Sequence, residues 1–138
     1  MISIHEYATQ NGFSIGWITL NLPKTLNALT LELVTAALTQ LRAWANCPDI
    51  ACVVLQGEGR AFCAGGDISE YPAFRFEAAL LRDFHENDVW GGLQAMLDCD
   101  VPVVAHIQGN CMGAGVEIAS CCDLRLASTQ ARFGAPIA

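Results

Sequence analysis

A chain of 138 residues has room for one domain with a core of its own, and its apolar share of 53% is that of a globular fold. The formal charge of −7 argues against nucleic acid as a partner, and no apolar run is long enough to span a bilayer, so no membrane role is expected. Met1-Ile2-Ser3-Ile4-His5-Glu6 lacks the pattern of a secretory signal, so a cytoplasmic location is expected.

The first strand is expected at Ile2–His5, and Phe13–Leu20 alternates apolar with small or polar residues as a second. Pro23 ends it, and the loop Lys24–Leu29 leads to Thr30, an N-cap type. Leu33, Val34, Ala37, Leu38, Leu41, Trp44 and Ala45 recur at helical spacing, and Pro48 closes that segment. Ala51–Leu55 is continuously apolar and follows a helix, which predicts a strand of a parallel sheet buried on both faces.

Gly57-Glu58-Gly59 breaks that strand and opens the glycine-rich turn Arg60–Ile68. From Tyr71 to Glu86 the pattern is aromatic and charged, which predicts a mobile loop giving way to a helix. Asp88–Leu97 reads as helix, Val103–Ile107 as a buried strand, Gly113–Cys122 as helix and Leu124–Ala127 as strand. The strand–strand–helix cadence recurs without a linker or low-complexity tract, so one α/β domain over residues 1–138 is expected. The cysteines number seven, Cys121 and Cys122 are adjacent, and no C-x-x-C pair occurs. Reduced, buried thiols are expected, and a metal site has little support.

Two stretches carry chemistry. In Gly109-Asn110-Cys111-Met112-Gly113-Ala114-Gly115-Val116-Glu117 a strand ends, small residues turn the backbone, and a helix begins with an acid in its first turns. Backbone N–H groups at a helix start lack intrahelical acceptors and sit at the positive end of the helix dipole, which suits an anion or a developing oxyanion. The turn Arg60–Ile68 can supply a second N–H. Two such donors on one carbonyl oxygen, with a carboxylate nearby, are the parts needed to form and quench an enolate.

These blocks resemble the crotonase (enoyl-CoA hydratase/isomerase) family. Ala61-Phe62-Cys63-Ala64-Gly65-Gly66-Asp67 is similar to its A-F-x-A-G-x-D turn, and Gly109–Glu117 to its G-x-x-x-G-x-G-x-E turn. Asn21–Leu29 is similar to its first loop, and Ala131-Arg132-Phe133-Gly134-Ala135-Pro136 to its last active-site strand. The resemblance implies an α/β spiral of ββα units acting on acyl-CoA thioesters. It assigns the oxyanion donors to the N–H groups of Gly66 and Ala114 and the catalytic carboxylate to Glu117. Substrate binding falls to Lys24, Leu26, Ala64, Gly65, Asp67, Ile68 and Gly113. No cofactor is implied, coenzyme A being part of the substrate, and a homo-trimer or hexamer is expected of a full-length member. Such members are much longer, so a C-terminal helical region is expected to be absent from this chain.

Other residues have plainer readings. Asp67 follows a Gly-Gly turn and is expected to cap the next helix. Cys63 and His106 are expected as core residues, His85 in a lid or on the surface, and Asp123 and Arg125 as structural. Lys24 and Arg60 flank the two loops, where local charge can meet a phosphate despite the acidic total, because screening confines exposed charges to about 10 Å. Family hydratases carry a second Glu where this chain has Ile137. A single carboxylate can move a proton between carbons, whereas hydration ordinarily needs a second group. Isomerase or other lyase chemistry of fatty acid metabolism therefore stands beside hydration, with a non-catalytic acyl-CoA binder or assembly subunit, or a thioester hydrolase using Glu117 or Cys63, as alternatives.

Overall fold

The computed structural model describes residues 1–136, and Ile137 lies outside them. Strands β1 (Ile2–Ala8), β2 (Ser14–Leu20) and β3 (Ile50–Gly57) lead into β4 (Ala61–Cys63), and β5 (Val103–Ile107) leads into β6 (Asn110–Met112). After helix α4 (Ala114–Cys121) come β7 (Leu124–Ala127) and β8 (Arg132–Gly134). One sheet has the order β1-β2-β3-β5-β7 and the other β4-β6-β8. β1 and β2 pair antiparallel, and the other strand pairings among the described residues are parallel.

After the β1–β2 hairpin, each pass of the chain lays one strand in the large sheet and the next in the small one. That is the spiral of ββα units. The sequence signal for the small sheet was faint, because its strands are only three residues long. Asn110–Met112, expected to lie in a turn, is itself the central strand of that sheet.

Helix α1 (Leu31–Ala45) begins where Thr30 accepts the Leu33 N–H at 3.1 Å, and it buries Leu33, Leu41 and Trp44. Each such side chain contributes about 1.5–3 kcal/mol when fully buried. A Cβ on Gly16 would lie 2.6 Å from the Trp44 ring, so the glycine in β2 is what makes room for the indole against the sheet. The Trp44 Nε1–H donates to Glu6 at 2.7 Å.

Two expectations are corrected. His106 is exposed, because Ala105 and Ile107 on either side are fully buried and strand alternation turns the imidazole to the other face. There it lies 3.1 Å from Gln56 and edge-on to Trp17. The same face leaves Cys52 and Gln56 half-buried, so β3 is not buried on both faces along its length. The second correction concerns the start of Tyr71–Glu86, expected as a mobile loop giving way to a helix: the helix is there, but the first part is ordered as well. A 3-10 turn spans Ile68–Ala73, and α2 (Ala78–Asp83) runs through a π-helical turn at Phe84–Val89 into α3 (Trp90–Leu97). Aromatic packing explains the order: Phe74 stacks on Phe84 at 4.0 Å, and Tyr71 lies 5.5 and 6.0 Å from the two rings.

Candidate active site

The first site turn leaves β4 at Cys63. Ala64 donates its N–H to Leu26 at 3.0 Å, Leu29 donates to the Gly65 carbonyl at 2.8 Å, and Asp67 donates to the Leu29 carbonyl at 2.8 Å. Those bonds engage the groups on either side of Gly66 and leave its own N–H out of the backbone ladder. Gly65 has φ +112°, in a region that L side chains rarely adopt.

The second turn leaves β6 at Met112. Gly113 donates to Gly134 at 2.8 Å and adopts φ 51°, ψ −119°, again glycine geometry. Helix α4 then starts at Ala114, whose N–H stands at the first helical position with no intrahelical acceptor. Gly115 presses the helix onto β4: a Cβ there would meet the Cys63 Cβ at 2.9 Å. The two turns therefore touch, each with an uncommitted N–H.

Both border a cavity of about 680 Å³. Ala64, Gly65, Gly66, Ile68, Gly113, Ala114 and Glu117 all line it, while its apolar wall comes from α1 and α3, including Val34, Leu38, Leu93 and Met96. Glu117 is exposed, so the desolvation penalty expected of a carboxylate in an apolar helix start does not arise. Tyr71, His85 and Asp88 also face the cavity and were not marked as site residues by the sequence. Their signal is visible in retrospect: Phe84, His85, Asp88, Val89, Gly92 and Leu93 share one helical face.

Lys24, Leu26 and Asp67 stand outside this cavity. Asp67 accepts the Ser69 N–H at 2.9 Å as the cap of the 3-10 turn. The Ser69 side chain, then its N–H, holds the Asp67 carboxyl below the usual carboxylate range. Leu26 lines a second depression of about 760 Å³ with Arg60, Asn110 and Arg132, and among the described residues no carboxylate contributes to its lining. Lys24 lines neither, although Pro23 beside it packs near Gly59.

Asn27 is the structural residue that sequence reasoning passed over. It is fully buried at φ 58°, accepts the Leu22 N–H at 2.9 Å and donates to the Glu58 and Ala61 carbonyls, each at 2.9 Å. It ties the first loop to the approach of β4. Asp123 and Arg125 act structurally: Asp123 accepts the Val103 N–H at 2.8 Å, and Arg125 donates to the Ala119 and Cys122 carbonyls at the end of α4. Cys63 is completely buried, and burial pushes its thiol up to about 11.

The sequence model of the enoyl-CoA hydratase/isomerase family matches residues 10–138. The chain belongs to that family. It is 38% identical over 125 residues to the probable enoyl-CoA hydratase echA8 of Mycobacterium bovis, a match covering 88% of this chain and 46% of the relative. It is also 38% identical over 124 residues to the mitochondrial 3-hydroxyisobutyryl-CoA hydrolase of Mus musculus, covering 88% of this chain and 32% of that protein. Among solved structures, an enoyl-CoA hydratase/carnithine racemase from Magnetospirillum magneticum superposes with a TM-score of 0.86 at 33% identity, over 99% of this chain and 51% of its own. The chain thus spans about half the length or less of these family members. Within the family the spiral is the shared frame. Among the described residues no helix is long and apolar enough to cross a membrane, and no three His, Cys, Asp or Glu side chains cluster as a metal site.

Proposed function

We propose that the protein processes acyl-CoA thioesters by way of an enolate. The Gly66 and Ala114 N–H groups hold the thioester oxygen, and Glu117 moves a proton at the adjacent carbon. The observation that carries this reading is that two glycine-rich turns, each with an N–H free of backbone acceptors, border one apolar-walled cavity together with an exposed carboxylate. Preorganised donors at the oxygen where charge develops are each worth about 3–4 kcal/mol. The acyl group lies against the α1 and α3 wall. Leu26, Arg60 and the Lys24 loop meet the anionic end of coenzyme A, supported by the guanidinium-lined depression at Arg60 and Arg132. No further cofactor is required by this chemistry, and assembly as a homo-trimer or hexamer is part of the proposal, to be read by sedimentation of the native protein.

Solvent-deuterium exchange at the α-carbon of butanoyl-CoA tests the reading. The native protein is expected to catalyse it, and Glu117→Gln to abolish it with ligand affinity nearly intact. Exchange that survives in Glu117→Gln overturns the assignment of the base.

A second reading, thioester hydrolysis, draws on the likeness to the 3-hydroxyisobutyryl-CoA hydrolase and on the same carboxylate. Cys63 is not its nucleophile, because its thiol is sealed under Gly115 and held protonated at neutral pH.

A further inference from the structure

We infer that the Tyr71 hydroxyl, placed beside Gly66, is a third hydrogen-bond donor to the substrate that stabilises the enolate oxygen. Three observations carry this. The hydroxyl lies 2.7 Å from the place a Cβ on Gly66 would take, so it occupies the space that the missing side chain leaves open at the donor residue itself. Tyr71 and Gly66 line the same cavity as Ala114 and Glu117. The ring is held by its packing against Phe74 and Phe84, and Phe84 belongs to the π-helical turn that also presents His85 and Asp88 to the cavity. Single π-helical turns within α-helices recur at functional sites. A phenol fixed in this way needs little reorganisation when charge appears on the oxygen.

In the step concerned, the Glu117 carboxylate removes the α-proton and the C–H electron pair becomes a carbon–carbon double bond. The carbonyl π pair moves onto oxygen, where Gly66, Ala114 and Tyr71 each donate a hydrogen bond. No proton leaves Tyr71. This inference rests on the enolate reading, and the two fail differently.

The test is Tyr71→Phe in the native protein, which keeps the aromatic packing and removes one oxygen. Exchange of the butanoyl-CoA α-proton is expected to fall about 10²-fold in kcat with KM little changed, the lower range for loss of one such donor. A second readout needs no turnover: acetoacetyl-CoA ionises to an absorbing enolate, and Tyr71→Phe should lower the enolate fraction at saturation without weakening total binding. Native-like exchange and enolate signal in Tyr71→Phe would overturn the inference while Glu117→Gln still tests the base separately. A loss that only follows weakened binding also overturns it. A native protein that neither exchanges nor enolises either ligand overturns both readings.

Discussion

The position that a Cβ would take on Gly113 lies 3.8 Å from the Cα of Gly65, so the two glycine-rich turns run close enough that a side chain on one would touch the other. They are separated by roughly fifty residues in the chain, and parallel pairing of β4 with β6 brings them together. The residues that follow each glycine, Gly66 and Ala114, line the same cavity.

Ala114→Pro removes one donor while keeping a residue type favoured at the first helical position. The variant should fold, and turnover should drop about 10²–10³-fold. Unchanged turnover in a folded Ala114→Pro protein would exclude the Ala114 N–H from the oxyanion site.

Asn27 is expected to be the costliest polar side chain to remove. Asn27→Leu leaves the Leu22 N–H and the Glu58 and Ala61 carbonyls without their partner, and each buried unsatisfied group costs about 1–3 kcal/mol. Leucine at φ 58° adds strain. A fall in stability of about 3 kcal/mol or more is expected by urea denaturation; a loss below about 1 kcal/mol would show that the Asn27 bonds are dispensable.

Stability should decline at alkaline pH. Burial pushes the thiols of Cys63 and Cys111 up to about 11 and that of Cys122 to about 12, from an ordinary 9.0. A raised thiol binds its proton more tightly in the folded state, so the stabilisation is whole below pH 9 and is lost as pH rises through the folded values. The urea midpoint should hold below pH 9 and fall between about pH 9 and 12. Iodoacetamide should reach the half-buried Cys47, Cys52 and Cys99 before these three. Rapid labelling of Cys63 at neutral pH would contradict the buried assignment.

The last expectation separates reactions. On the proposed reading, in which Glu117 is the base and position 137 is isoleucine, α-proton exchange should outpace hydration of a trans-2-enoyl-CoA. Ile137→Glu should raise hydration if that position reaches the cavity. Fast hydration by the unmodified protein would assign the second proton transfer to another group, with His85 and Asp88 the first to replace, since both already face the cavity.

Much of this was legible in local pattern. Thr30 and Asp67 act as the caps their side chains suit, and α1 runs where the 3.6-residue spacing puts it, because these features depend on neighbours within a few residues. The glycines at 65 and 113 signalled turns for the same reason: only local backbone geometry demands them. By itself the sequence determined the family, the ββα cadence and the order of the candidate donors and carboxylate. Tertiary structure alone decided that Glu117 is exposed, that His106 faces outward, that Asn27 locks the first loop, and that Tyr71 reaches Gly66. Burial, strand facing and the meeting of distant turns follow from how the parallel sheets stack successive passes of the chain, and nothing within a short window of sequence encodes that distance.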